Sequence, residues 1–188
     1  LLTYYRTQIE KRSIRVLLNT EATPKMIKEL NPDSILIAMG AKERILPIPG
    51  IDNEKVVLAT KAILNPEMLG QKVASIGCEN ALELAEDGKD VSVIEVTDVL
   101  AANANSLYRE ALRQKFLLHD NIRSLLSCSC TKIEDVNIWY KDKDGNQLSL
   151  PYDTLILSTG LVPQIDLVEQ FYGICRDTVA IGDCIRPS

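Results

Sequence analysis

Residues 72–96, KVASIGCENALELAEDGKDVSVIEV, decide the fold. An apolar run from Lys72 to Ile76 reaches Gly77. An Ala-, Leu- and Glu-rich segment follows, expected as a helix over 78–88, in which Ala81, Leu82 and Ala85 make one face apolar. Gly88 stands where a helix C-terminus prefers glycine. A second apolar run, DVSVIEV at 90–96, carries the acid Glu95 at its end. Strand, helix and strand in this order make a βαβ dinucleotide-binding unit. Such a unit brings a helix N-terminus, with its free N–H groups and positive dipole, up to a pyrophosphate. Its glycines let backbone touch phosphate with no Cβ in the way. The acid after the second strand accepts hydrogen bonds from the adenine-ribose hydroxyls. Glu95 fits that role, and a carboxylate there repels a 2′-phosphate, which favours NADH over NADPH. A solvated glutamate at a strand end is the plainer alternative.

The phosphate turn is the anomaly. Gly77 is followed at once by Cys78 and Glu79, which leaves no room for a glycine fingerprint. Either the turn is shortened in the protein, or residues that belong between Gly77 and Cys78 are missing from the chain as written.

Two further stretches repeat the pattern of an apolar strand closing on glycine. They are SILIAMG at 34–40 and YDTLILSTG at 152–160, and the chain closes with DTVAIGDC, a strand running to Gly182 and Asp183. The continuous apolar character of 34–39 predicts a strand buried on both faces of a parallel sheet. Thr23-Pro24 predicts a capped helix through Leu30. Residues 1–12 read as the end of a helix, Ile14 to Leu18 as a short buried strand, and 106–118 as a long helix. Several strands are expected between 122 and 150 as an antiparallel excursion, with a hairpin at Lys143-Asp144-Gly145. RILPIPGIDNE at 44–54, with two prolines and a glycine, is a connector and a candidate domain boundary. The alternation favours an open, mostly parallel α/β sheet.

Composition narrows the function. The chain has 188 residues, 46% hydrophobic and 25% charged, with a net charge of −5. Nothing in that balance favours nucleic acid or an anionic membrane surface, and no apolar run is long enough to span a bilayer. Five cysteines without paired spacing argue against a secreted disulfide framework and for a reduced, cytoplasmic protein. No CxxC occurs, so a redox pair or zinc knuckle has no support, and no metal site is expected. Cys128 and Cys130 point to one face of a strand as small core residues. No catalytic acid, base or nucleophile stands out. His119 reads as a surface residue at a helix C-terminus, and Trp139 and Tyr140 as packing residues of a hairpin. The abrupt opening LLTYYRTQIEKR suggests a fragment.

The stretches DSILIAMGA with LPIPGID, KVASIG with CENALELAEDGKDVSVIEV, YDTLILSTGLVPQIDL, and TVAIGDCIRPS cover almost the whole chain. In that order they resemble the C-terminal region of the NADH:flavin oxidoreductases of the 2-enoate reductase and 2,4-dienoyl-CoA reductase family. That region is built like the pyridine nucleotide–disulfide oxidoreductases. The resemblance implies a Rossmann-like, three-layer NAD(P)-binding domain inserted in a partial FAD-binding domain. Residues 1–50 would be the later part of the FAD domain, 51–150 the inserted NADH domain, and 151–188 the return to the FAD domain. The family's middle motif reads like IGGGxVGCE, so about five residues are wanting after Gly77.

By the same resemblance, Asp183 hydrogen-bonds a ribitol hydroxyl of FAD, with the Gly182 backbone near the pyrophosphate. Gly40 and Gly160 close the strands that enter and leave the inserted domain, where their expected task is close backbone approach. Gly77 belongs to the phosphate turn, and Glu79 matches a glutamate near the nicotinamide and flavin, or is an ordinary helix-start acid. The implied function is hydride transfer from NADH to FAD. Electrons would then pass through an iron–sulfur cluster to FMN in a barrel domain that reduces an activated C=C bond. Barrel, cluster and the first flavin-binding βαβ lie outside this chain and are its expected partners, and alone the chain is not expected to hold FAD tightly. A non-catalytic nucleotide-binding module is the alternative. The absent CxxC disfavours a disulfide reductase.

Overall fold

Along three strands of this chain, successive side chains point to opposite sides and both sides are apolar: Val73 and Ala74, Val93 and Ile94, Leu155 and Ile156. Such strands can sit only in a sheet covered on both faces. The computed structural model describes residues 1–78 and 80–187. In chain order its elements begin with α1 (Leu2–Lys11), α2 (Pro24–Leu30), β1 (Ser34–Ile37), β2 (Ala41–Glu43), β3 (Val56–Leu58) and α3 (Ala59–Leu64). The βαβ unit follows as β4 (Lys72–Ile76), α4 (Ala81–Glu86) and β5 (Asp90–Glu95), and then α5 (Ser106–Phe116) and β6 (Ile122–Leu126). The chain continues with β7 (Ser129–Ile133), β8 (Asn137–Lys141), β9 (Gln147–Pro151), β10 (Thr154–Leu157), β11 (Leu161–Pro163), α6 (Ile165–Glu169) and β12 (Asp177–Ala180).

The middle of the chain forms a five-stranded parallel sheet in the order β3-β10-β4-β5-β6. One set of its side chains (Val57, Val73, Val91, Val93 and Ile156) packs with Ala62, Leu84, Ala85, Leu112 and Phe116 from α3, α4 and α5. The other set (Ala74, Ile94, Leu155 and Leu157) packs with Ile133, Ile138, Tyr140, Leu150 and Tyr152 of the β7-β8-β9 antiparallel meander and its ends. The result is three layers: helices, parallel sheet, meander. Cys130 in β7 and Cys128, which lies just before that strand and not in it, both join the meander-side core.

The flanks build a smaller unit. β1 and β12 pair in parallel, and Ile37, Val168, Phe171 and Cys184 form its core with Ile27, Ile35 and Met39 beside them. Thr23 caps α2 by accepting from the Met26 N–H at 3.3 Å, and Pro24 takes the first helical position. β2 and β11 pair antiparallel where the chain passes between the two units.

Four expectations change. Residues 14–18 form no strand and are exposed, because a strand needs a ladder partner and β1 pairs only with β12 among the described residues. β1 is not buried on both faces: Ile37 is covered, but Leu36 is 67% exposed. β6 joins the parallel sheet, so the antiparallel excursion is the meander alone. The helix after Gly77 starts at Ala81, not 78, and is six residues long. Gly88 does terminate it, with φ +80° and its N–H on the Ala85 carbonyl. β10 lies in the middle sheet, between β3 and β4.

Candidate functional site

In a parallel sheet, ligands bind beyond the carboxyl ends of the strands. Gly77 and Glu95 both stand there, at the ends of β4 and β5, and the Gly77 N–H donates to the Ile94 carbonyl at 3.2 Å. Glu95 is half-buried. Its Oε1 accepts from the Thr97 N–H at 3.1 Å and the Thr97 hydroxyl at 2.9 Å. Oε2 has no protein partner among the described residues. The carboxylate is therefore aimed by its own turn with one oxygen free, as hydrogen bonding to a sugar hydroxyl requires. Thr97 was not legible as a site residue, since its role depends on how residues 95–99 fold back.

Between β4 and α4 the described residues are Gly77, Cys78 and Asn80. Gly77 has φ +92°, and its carbonyl accepts from the Ser75 hydroxyl at 2.8 Å. Cys78 is buried in the helix-side core. Asn80 is also buried, with its side chain turned inward to the Ala59 carbonyl and the Ser158 hydroxyl, each at 3.4 Å. Glu79, the third residue expected near this edge, lies outside the described residues.

A second group forms at the crossing of the smaller unit. Gln164 donates from Nε2 to the carbonyls of Met39 (3.1 Å) and Gly40 (3.2 Å), and its N–H donates to the Cys184 carbonyl at 3.1 Å. It thereby ties the end of β1 to the turn after β12. Arg44 N–H donates to the Gly160 carbonyl at 2.9 Å, at the far end of the β2–β11 pair from Gly40. Nothing in a single sequence marks Gln164, because two of its three bonds reach a segment more than a hundred residues away. Gly40, Gly160 and Gly182 have φ of +71°, +82° and +71°, and a Cβ on any of them would meet open space. Backbone handedness asks for glycine there. Asp183 is half-buried, and its carboxylate has no hydrogen-bond partner among the described residues.

The cysteines offer no redox pair. None of the five is joined in a disulfide. Burial pushes the Cys130 thiol up to about 11, against a weak contact with the Lys132 carbonyl, so it is protonated at neutral pH and chemically quiet. His119 is half-buried after α5, its backbone N–H on the Phe116 carbonyl. Trp139 donates to Glu134 at 2.8 Å within the meander. Among the described residues, no group of three His, Cys, Asp or Glu could hold a metal ion, and no helix is long and apolar enough to cross a membrane.

The chain is 34% identical to the cinnamate reductase of Clostridium sporogenes, over 97% of this chain and 28% of that protein. It is 28% identical to the bilirubin reductase of Mediterraneibacter gnavus, over 97% of this chain and 29% of the relative. Among solved structures, 2-naphthoyl-CoA reductase in complex with 2-naphthoyl-CoA superposes with a TM-score of 0.87 at 30% identity, covering 98% of this chain and 29% of that one. The chain thus spans under a third of the length of these relatives. The family model described as pyridine nucleotide-disulphide oxidoreductase matches residues 1–185. With the three-layer fold and the two groups at its strand ends, this match places the chain in the pyridine nucleotide-disulphide oxidoreductase family.

Proposed function

We propose that this chain is the nucleotide-binding region of a longer NADH-dependent flavoprotein oxidoreductase whose reaction is hydride transfer from NADH to FAD. The middle three-layer unit, 51–150 with β10, is the NADH domain, and the flanking unit is the later part of the FAD domain. The observation that carries this reading is the pair of carboxylates at strand ends. Glu95 is oriented with one oxygen free, and Asp183 is half-buried and unpartnered. Glu95 would accept from the adenine-ribose hydroxyls, and Asp183 from a ribitol hydroxyl of FAD, with Gly182 backbone beside the pyrophosphate. The cofactors carry the redox chemistry, and the protein orients them and excludes water.

Both acids would suit sugar hydroxyls, but Gly77 is the only glycine between β4 and α4, which leaves a dinucleotide's pyrophosphate without a glycine-lined cradle. That observation favours a second reading, a nucleotide-binding module without catalysis. Similarity to reductases named for cinnamate, bilirubin and 2-naphthoyl-CoA supports reduction of an activated C=C bond elsewhere in the longer protein. FMN and an iron–sulfur cluster would lie in that remaining part, and a cytoplasmic location goes with five cysteines that form no disulfide.

The deciding experiment mixes the full-length protein with NADH without oxygen. Bleaching of a flavin band at about 450 nm is expected, and a colourless protein, or a band that NADH leaves intact, removes the reading. Replacing Glu95 with serine is expected to lower the preference for NADH over NADPH by about tenfold, the worth of one hydrogen bond to a charged group. An unchanged ratio of the two dissociation constants would deny Glu95 its ribose role.

A further inference from the structure

We infer that Thr97 is a positioning residue that sets the preference for NADH over NADPH, because it holds one oxygen of the Glu95 carboxylate and leaves the other to the adenine ribose. The inference rests on the reading of Glu95 as the acid that meets that ribose.

A glutamate free to rotate must surrender its rotamers to bind a sugar, and that loss weakens the contact it makes. Glu95 has surrendered them in advance. The N–H of Thr97 at 3.1 Å and its hydroxyl at 2.9 Å converge on Oε1, so backbone and side chain of one residue hold one oxygen. The single proton of that hydroxyl also faces the Val99 carbonyl oxygen at 2.7 Å, and of the two acceptors the charged carboxylate is the stronger. Both donors are themselves placed by the turn after β6. There the Ser127 N–H donates to the Thr97 carbonyl at 2.8 Å, and the Cys128 N–H to the Glu95 carbonyl at 2.9 Å. Those two backbone bonds do not involve the hydroxyl, so removing it leaves the path of the chain tied down. Oε2 keeps no partner among the described residues, at the carboxyl end of β5 where a parallel sheet receives its ligands. A carboxylate held in this way offers the ribose of NADH an acceptor and meets the 2′-phosphate of NADPH with a charge of the same sign. Released, it can turn away from that phosphate. Loss of the hydroxyl therefore weakens NADH and does not weaken NADPH.

The test is calorimetric titration of the full-length protein with NAD⁺ and, separately, with NADP⁺. Their adenosine halves match those of NADH and NADPH, and neither reacts with an oxidised flavin. Thr97→Val keeps the shape of the side chain and removes the hydroxyl. It is expected to lower the preference for NAD⁺ over NADP⁺ by about fivefold, the worth of one side chain immobilised beforehand. Thr97→Ser keeps the donor and is expected to stay within about twofold of the natural protein. In a protein that already carries Glu95→Ser, Thr97→Val is expected to move the ratio by less than about twofold, because Thr97 acts only through the carboxylate.

A preference that Glu95→Ser lowers and Thr97→Val leaves unchanged overturns the inference and leaves the ribose reading standing. So does a Thr97→Val protein that loses NAD⁺ and NADP⁺ affinity in equal measure, the mark of a loop that has only lost order. An equal fall of the ratio in Thr97→Ser, or a Thr97→Val effect that persists in full beside Glu95→Ser, overturns it as well. If Thr97→Val does not fold, Thr97→Ala, which also lacks the hydroxyl, is read by the same criteria. A ratio that Glu95→Ser leaves unchanged, or a natural protein that binds neither dinucleotide, removes the ribose reading and the inference with it.

Discussion

Replacing Ile156 with alanine is expected to destabilise the protein by about 4 kcal/mol, within the range for large-to-small changes at fully covered sites. Ile156 lies at the centre of β10, is 0% exposed, and packs into the helix-side core with Val57, Val73 and Leu84. Its strand is flanked on both sides by β3 and β4, so the sheet has little freedom to collapse into the space left behind. The loss approaches the whole stability of an ordinary domain. Urea unfolding of the full-length protein, followed by circular dichroism, gives the measurement. Leu107→Ala on α5 is the control, since that side chain is 84% exposed and its removal should change stability by less than about 0.5 kcal/mol. Equal shifts in the two variants would show that β10 is not the buried centre of the sheet.

β10 also shows why much of this fold could be read from residues. TLIL is apolar at every position, and only a strand covered on both faces tolerates that. The same reasoning found β4 and β5, and Thr23-Pro24 and Gly88 marked helix ends through local backbone chemistry that needs no tertiary partner. It failed where burial depends on a distant neighbour. SILI is as apolar as TLIL, yet Leu36 faces open space because β1 has a single partner strand. IRVLL is likewise apolar but has no ladder to join.

The candidate site divides in the same way. Glu95, Gly182 and Asp183 were legible because strand ends fix where they stand. Thr97, Asn80 and Gln164 were not, since each acts through a hydrogen bond set by how loops fold back. The shortened turn was visible in sequence as a missing fingerprint. The bonds of Gly77 to Ser75 and Ile94, and of Asn80 to Ala59, were not.

Replacing Gly50 with alanine is expected to cost about 3 kcal/mol, although Gly50 lies in a connector and outside every element. Two effects add. Gly50 has φ +86°, a conformation that costs an L-residue about 1–2 kcal/mol. A Cβ there would also run into the backbone carbonyl of Ile133, which cannot swing aside as a side chain end could. The Ile133 N–H donates to the Pro49 carbonyl at 2.9 Å, so connector and meander are stitched together at this point. Ile48 and Ile51, on either side, pack against the meander-side core, and any retreat of the connector uncovers them. Gly145 separates the two effects. It has a similar φ of +82° in the hairpin between β8 and β9, but a Cβ there meets nothing within 4 Å. Gly145→Ala should therefore show the conformational cost alone, about 1 kcal/mol. The difference between the two midpoints of thermal unfolding measures the collision. A Gly50 variant no weaker than the Gly145 variant would mean that the connector is free to move away from β7, and that this edge of the meander is held by the hairpins alone.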